Sequence, residues 1–215
     1  FPDTPPKWGI GFEVEKDTVD GYRSESNEIE HQPLFTGWET DGSCGVEGIT
    51  NVYGLYEQDT LFADHVRQSY YTDEPINGSC GGHVNVSRIG GLTLDDVRPY
   101  AGLLYSMYRE RLIGTYSSNN KRLRSSEARE GYAAIRSKGP ELLEFRLVAK
   151  VNDASDLLWR YQFFRMFATA VERKWSYEYY LRKMRPVMVD NYTTTKITEI
   201  YSMSRKFDKW LTEGV

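Results

Sequence analysis

The sequence predicts a mixed α+β fold built on a largely antiparallel sheet. Several short segments alternate apolar and polar residues, which is the pattern of a strand buried on one face, and glycine-rich turn signals separate them. Amphipathic helical segments lie between and after these strands, without the regular strand–helix–strand order of a parallel sheet. We therefore expect a curved, antiparallel sheet with helices packed on one of its faces.

The N-terminal half contributes four predicted strands and one helix. GIGFEVEKD at 9–17 alternates as a strand, and GWETDGSCGVEGITNVYG, around Trp38–Tyr53, carries the turn signals of a hairpin between two short strands. QDTLFADHVRQSYY predicts a helix with Asp59 as its N-cap. The glycine-rich turn NGSCGG then leads into another alternating strand at 82–88.

The C-terminal half is mainly helical. A helix with Asp96 as its N-cap is predicted to run toward Gly114, where glycine can end it. ELLEFRLVAK at 141–150 alternates as a strand, and an apolar helix follows at about 155–175. A last amphipathic helix, with apolar residues from Ile197 to Leu211, closes the pattern.

Composition limits the class of protein. The chain has 215 residues, 40% of them hydrophobic, which suits one domain with a substantial core. The 27 Lys+Arg against 31 Asp+Glu give a formal net charge of -4, so no global field indicates nucleic acid or a membrane surface as a partner. No segment approaches the roughly 18 uncharged apolar residues of a membrane span, and FPDTPPKW lacks an apolar leader. We expect a cytoplasmic protein.

Cys44 and Cys80 are the only cysteines. They could pair if the fold brought them together, but two thiols in a chain of this size suit a reducing compartment equally well. Neither lies in a C-x-x-C motif. We predict that both are reduced and dispensable.

Two carboxylates share the polar face of the first strand. Ile10, Phe12 and Val14 face one way, so Glu13 and Glu15 face the other. Side chains two apart on a strand stand roughly 6.5 to 7 Å apart, so both could reach one metal cluster and would repel each other if partly buried. A cation would relieve that repulsion, although a solvated strand face is the simpler interpretation.

Other predicted strands add matching side chains: Glu47 in the hairpin, His83 on the next strand, and Glu144 with Arg146 on the strand at 141–150. Carboxylates with one imidazole suit Mg²⁺ or Mn²⁺ better than structural zinc, and an arginine fork suits phosphate oxygens. The alternatives remain a hydrogen-bonded sheet histidine and an ordinary Glu144–Arg146 ion pair. Because acidic or metal-binding residues recur on several predicted strands, the pattern favours a polar, metal-binding sheet face.

A local basic stretch, NNKRLR, includes Lys121 and is followed by Arg129, Arg136 and Lys138. It is either a solvated loop or a cover over a nucleotide phosphate or an anionic substrate. The chain has no P-loop, G-x-S-x-G or H-E-x-x-H motif, which disfavours those chemistries.

The order of these motifs resembles that of the amidoligase family, which comprises carboxylate–amine ligases related in fold to glutamine synthetase and glutamate–cysteine ligase. The resemblance covers about residues 8–165, which leaves about 166–215 as a helical extension of a single domain over 1–215. The motifs that carry it are GIGFEVE, DGS followed by VEG, CGGHVNVS, R-x-x-x-x-Y at Arg111 and Tyr116, and LLEFRL. This chain has Asn85 where the family often has a second histidine.

The resemblance implies an ATP-dependent ligase that forms an amide or isopeptide bond through an acyl phosphate, with Mg²⁺ or Mn²⁺ as cofactor. Substrates would be small-molecule or peptide carboxylates and amines, and neither nucleic acid nor a membrane is an expected partner. The implied metal ligands are Glu13, Glu15, Glu47, His83 and Glu144. The implied catalytic residues are Glu144 and Arg146, and Arg146 is also the implied phosphate contact. Arg111 and the basic residues that follow it, Lys121 and Arg136, are further candidate contacts to the nucleotide.

Two other function classes remain open at the level of sequence. A non-catalytic binding or structural module could retain the fold, and a two-metal phosphohydrolase would use a similar carboxylate cluster without making a new bond. The oligomeric state is not predicted.

Overall fold

The computed structural model describes residues 7–17, 29–41, 44–114 and 133–213. Over these residues the chain forms seven strands and six α-helices, together with a short 3₁₀ helix at Tyr70–Asp73. The mixed α+β class is therefore confirmed. The strands are β1 (Trp8–Asp17), β2 (Phe35–Asp41), β3 (Gly45–Thr50), β4 (Tyr53–Gly54), β5 (Val84–Arg88), β6 (Ile135–Gly139) and β7 (Leu142–Phe145). The helices are α1 (Asp59–Arg67), α2 (Leu94–Met107), α3 (Arg109–Gly114), α4 (Ala154–Arg173), α5 (Tyr177–Met188) and α6 (Thr194–Glu213).

The chain divides into two compact units. One comprises Phe1–Ile89 with Val148–Leu158, and the other comprises Gly90–Leu147 with Trp159–Val215. The single domain expected from the sequence stays a prediction. No helix among the described residues is both long enough and apolar enough to cross a membrane.

The first unit is built around β1. This strand pairs antiparallel with β3 on one side and with β5 on the other, while β2 extends the sheet beyond β3 and β4 also pairs with β1. Ile10, Phe12 and Val14 are buried, which confirms the predicted apolar face of the strand. Lys16 continues that face and is also buried, because its ammonium donates to the carbonyls of Val151 and Asn152 at 2.9 and 3.2 Å.

The second unit contains the β6–β7 hairpin and most of the helices. Strand β6 was not predicted, because IRSKG is too short to show a clear alternation. Helices α2 and α6 approach closely at Gly102, where an added Cβ would lie 2.8 Å from the Ser204 carbonyl oxygen. The aromatic rings of Tyr100, Phe167 and Tyr180 pack edge to face in the core of this unit.

Two helix starts differ from the sequence prediction. Gln58, not Asp59, is the N-cap of α1, because Asp59 lies in the first turn and accepts a hydrogen bond from the Tyr56 N–H at 2.9 Å. Helix α2 begins three residues before the predicted position, with Thr93 as its N-cap and Asp96 closing a capping box. The backbone leaves the helical conformation at Tyr108, so α2 and α3 are separate helices.

Cys44 and Cys80 form a disulfide, so the prediction of two reduced thiols is wrong. Both β3, which follows Cys44, and β5, which follows Cys80, pair with β1. The shared partner brings together two cysteines that are 36 residues apart, with a Cα–Cα distance of 5.4 Å. Sequence spacing alone cannot show this proximity.

Candidate functional site

The first unit contains four of the predicted metal ligands in two pairs, Glu13 with His83 and Glu15 with Glu47, and we call these four residues the acidic cluster. Glu13 and Glu15 lie on the polar face of β1, and Glu47 of β3 is the direct cross-strand partner of Glu15. Directly opposed residues have Cβ atoms roughly 4.5 to 5.5 Å apart. Glu15 is 3% exposed and Glu47 is 7% exposed, so these two opposed carboxyl groups have little access to solvent.

The Glu13 carboxylate is held through both of its oxygens. His83 Nδ1 lies 2.6 Å from Glu13 Oε2, and the Asn85 amide donates to Glu13 Oε1 at 2.8 Å. The backbone reinforces this arrangement, because the Glu13 N–H donates to the His83 carbonyl at 3.0 Å. With Nδ1 donating to the carboxylate, a neutral His83 ring presents Nε2 as its acceptor nitrogen, which is the tautomer of a metal-binding histidine supported by a carboxylate.

The Glu15 carboxylate is oriented by a backbone donor. The Gly81 N–H donates to Glu15 Oε2 at 2.5 Å. An added Cβ at Gly81 would lie 2.9 Å from Glu15 Oε1, so only glycine allows this approach without displacing the carboxylate. The glycine-rich segment before β5 is thus part of the local geometry of the acidic cluster.

The donor set of the acidic cluster fits a hard divalent cation. It offers carboxylate oxygens and one imidazole, which suit Mg²⁺ or Mn²⁺. Structural zinc sites favour thiolates, and the disulfide removes Cys44 and Cys80 as thiolate ligands. Mg²⁺ or Mn²⁺ as the bound cation stays a prediction.

The second unit contains a different arrangement around Glu144, which is 3% exposed. Arg136 Nε lies 2.9 Å from Glu144 Oε2, Lys138 Nζ lies 3.1 Å from Oε1, and Arg146 Nε lies 3.7 Å from Oε2. Arg136 is the direct cross-strand partner of Glu144 in the β6–β7 hairpin. We call Glu144 and its three cationic neighbours the cationic cluster. Three cations surround one carboxylate there, so positive charge is in excess among these four side chains.

Arg111 lies near the end of the same strand. Its Nε donates to the Leu147 carbonyl at 3.1 Å, and its Nη2 lies 3.4 Å from the Arg146 carbonyl oxygen. These contacts tie the Arg111 guanidinium to the backbone that carries Arg146. Lys121 and the rest of the basic stretch lie outside the described residues.

Sequence reasoning missed two contributors. Glu39 of β2 is the direct partner of Glu47 and extends the row of carboxylates, and its alternating position within FTGWETD was the available signal. Lys138 was noted only as part of a basic stretch. Lys138 contacts Glu144 because β6 and β7 form a hairpin. The sequence pattern that could have indicated this contact is the spacing of Arg136 and Lys138, which lie two residues apart on one strand just before the strand that carries Glu144.

No protein-family model and no curated protein matches the chain. Among the solved structures that match, that of the complex between the prokaryotic ubiquitin-like protein Pup and its ligase PafA aligns with a TM-score of 0.44 at 8% sequence identity. The alignment covers 96% of this chain and 63% of that chain, so this chain spans less than two thirds of the length of the protein it is similar to.

Proposed function

We propose that this chain is an ATP-dependent carboxylate–amine ligase that forms an amide or isopeptide bond. The observation that carries the proposal is the opposed, buried pair Glu15 and Glu47 beside the Glu13–His83 pair. Like charges in direct cross-strand positions destabilise a sheet, and burial increases the cost. A bound divalent cation compensates this charge, and Mg²⁺ is the usual companion of ATP.

The acidic cluster would hold the cation through Glu13, Glu15, Glu47 and His83. When bound, Mg²⁺ neutralises negative charge on phosphate oxygens. The resemblance adds Glu144 as a further ligand.

The cationic cluster would bind phosphate oxygens of ATP. Arg146 and Arg136 can each donate two parallel hydrogen bonds, and Lys138 adds a point charge. Arg111 would act by holding the backbone of Arg146, and Lys121 stays a predicted nucleotide contact. The excess of positive charge makes this cluster suited to a polyanion.

The proposed reaction has two steps. In the first step a substrate carboxylate oxygen attacks the γ-phosphorus of ATP, and the bond between the γ-phosphorus and the β-phosphate oxygen breaks. ADP is released, and the substrate becomes an acyl phosphate. An amine nitrogen then attacks the acyl carbon, the bond from that carbon to the phosphate oxygen breaks, and the nitrogen gives a proton to the departing phosphate or to water to complete the amide. The residues contribute by positioning the reactants and by stabilising charge on the transferring group, which together supply most of the rate enhancement in phosphoryl transfer.

The proposed substrates are small-molecule or peptide carboxylates and amines. Nucleic acid and membranes are not proposed as partners, and the cytoplasmic location stays a prediction. The identity of each substrate depends on the side chains around the clusters.

The test measures ADP release from ATP and Mg²⁺ in the presence of pooled carboxylates and pooled amines, each alone and together. We expect release only when both pools are present, with a new amide product detected by mass spectrometry. Release that needs neither pool would assign the chain to the phosphohydrolases. No release with any pool, in protein shown to be folded, would leave a binding module.

The control variant for this test is Glu178→Gln. Glu178 accepts hydrogen bonds from Arg205 on the surface of the second unit and belongs to neither cluster. It should therefore release ADP at the wild-type rate. Glu47→Gln, which removes one ligand of the proposed cation, should lose ADP release.

A further inference from the structure

The segment Cys80–His83, which we call the glycine segment, connects the disulfide to two residues of the acidic cluster. Cys80 is bonded to Cys44, which lies just before β3. Gly81 donates its N–H to Glu15, and His83 lies against Glu13. Within four residues the chain therefore passes from a covalent crosslink to contacts with both carboxylates of β1.

Further contacts hold the turn that precedes this segment. The Asn77 side-chain oxygen accepts hydrogen bonds from the Ser79 N–H at 2.8 Å and from the Cys80 N–H at 3.2 Å. The Lys150 ammonium donates to the Asn77 carbonyl at 2.7 Å, and Gly81 forms a β-bridge with Ala149. Each of these contacts is non-covalent. The disulfide is the covalent link that joins the segment to the β2–β3 hairpin.

We propose that the Cys44–Cys80 disulfide positions Glu15 and His83 for cation binding, so that its reduction weakens the cation affinity of the acidic cluster. The physical reason lies in Gly81 and Gly82, which have the largest backbone freedom of any residue type. A crosslink at the adjacent residue restricts that freedom and keeps the Gly81 N–H aimed at Glu15. The cation part of this proposal rests on the proposed function.

The change in state is a thiol–disulfide exchange. A dithiol reductant attacks one sulfur, the Cys44–Cys80 bond breaks, and the two electrons and two protons of the reductant convert the pair to two thiols. The reductant leaves as its own disulfide. The proposal runs against the prediction that the cysteines are dispensable, because that prediction assumed two unlinked thiols.

The first measurement needs no metal. Hydrogen exchange of the Gly81 amide is followed in cation-free protein, oxidised and after treatment with a dithiol. We expect protection of Gly81 to fall by about tenfold or more on reduction, because a local opening replaces a fixed hydrogen bond. Amides of β1 that face β3, such as those of Val14 and Lys16, serve as the control for an intact fold. Unchanged Gly81 protection would overturn the positioning role.

The second measurement is Mn²⁺ affinity, read from the electron paramagnetic resonance of free Mn²⁺. We expect the oxidised wild type to bind about tenfold more tightly than a Cys44→Ser, Cys80→Ser double variant, since a loosened ligand must be ordered on binding. Dithiol added to the double variant is the matched control and should change nothing further. Equal affinity in wild type and double variant would overturn the proposal.

A third variant separates the segment from the crosslink. Gly81→Ala keeps both cysteines, but its Cβ would meet Glu15 Oε1 at 2.9 Å. It should therefore show weak Mn²⁺ binding even when oxidised. If the oxidised wild type binds no Mn²⁺, the cation site of the proposed function fails, and the Gly81 exchange data decide the positioning role independently.

Discussion

The acidic cluster and the cationic cluster place the same residue type in the same kind of position. Glu47 and Glu144 are both buried glutamates with a charged residue directly opposite on an antiparallel neighbour. The partner of Glu47 is Glu15, whereas the partner of Glu144 is Arg136. The first pairing brings two acidic side chains together and is the basis of the proposed cation site, whereas the second joins opposite charges. A buried glutamate alone therefore does not indicate a ligand site. The residue opposite it on the neighbouring strand has to be known as well.

The largest expected effect concerns catalysis by the cationic cluster. Arg146→Lys keeps the charge but loses the two-pronged geometry, so it should impair phosphoryl transfer more than nucleotide binding. Loss of stabilisation that exists only in the transition state costs about 10²- to 10³-fold in rate. The measurement is carboxylate- and amine-dependent ADP release together with ATP affinity.

Arg205→Lys is the matched control for that change, because Arg205 makes a two-pronged contact with Glu178 at 2.7 and 2.9 Å on the surface. It should leave turnover unchanged. Wild-type turnover in Arg146→Lys would remove Arg146 from the chemistry.

The next effect is on stability and has opposite signs in the two clusters. Glu144→Gln leaves three cations without their carboxylate, so it should lower the free energy of unfolding. Breaking a fully buried pair costs about 3 to 5 kcal/mol, and because these cations are 20 to 35% exposed we expect about 2 to 3 kcal/mol. Urea unfolding measures it. Glu178→Gln, in an exposed pair, should cost under about 1 kcal/mol, and an equal loss in both variants would contradict the contrast.

Glu47→Gln in the acidic cluster should act in the other direction. Removing one of two opposed like charges relieves repulsion, so without divalent cations we expect the free energy of unfolding to rise by about 0.2 to 1 kcal/mol. Added Mg²⁺ should then stabilise the wild type more than the variant, because the variant has lost a ligand. A loss of stability in cation-free Glu47→Gln would show that the Glu15–Glu47 pair is already compensated within the protein.

The smallest expected effect concerns a half-buried carboxyl group that belongs to neither cluster, Asp208. Burial, with smaller contributions from Glu213 and Glu178, raises the pKa of Asp208 from 3.8 to about 6. The folded state therefore binds the proton more tightly than the unfolded chain, and this group lowers the free energy of unfolding as pH rises from about 4 to about 6. Asp208→Asn should raise stability above pH 6 by less than about 1 kcal/mol, since solvent screens the half-buried charge.

The same Asp208→Asn variant should match the wild type near pH 3, where Asp208 is protonated in the folded and the unfolded chain. Thermal melts of the two proteins at pH 3 and pH 7.5 make the comparison. Equal melting temperatures at both pH values would contradict the raised pKa.

Much of the first unit could be predicted from local sequence. The alternation of GIGFEVEKD placed Glu13 and Glu15 on the face opposite the apolar residues, and the turn signals located the β2–β3 hairpin. The helix starts were less predictable. Asp59 and Asp96 are both plausible N-caps, and the choice between neighbouring cap residues depends on the conformation of the preceding turn.

The sequence by itself determined which side of each strand a residue occupies, because the two-residue period of a β-strand is a property of the backbone. Only the tertiary structure decided which side chains face each other. Pairing of Glu15 with Glu47, pairing of Arg136 with Glu144, and the Cys44–Cys80 bond all depend on register between distant segments. Register follows from the packing of a whole sheet face and from turn geometry, so no local pattern contains it.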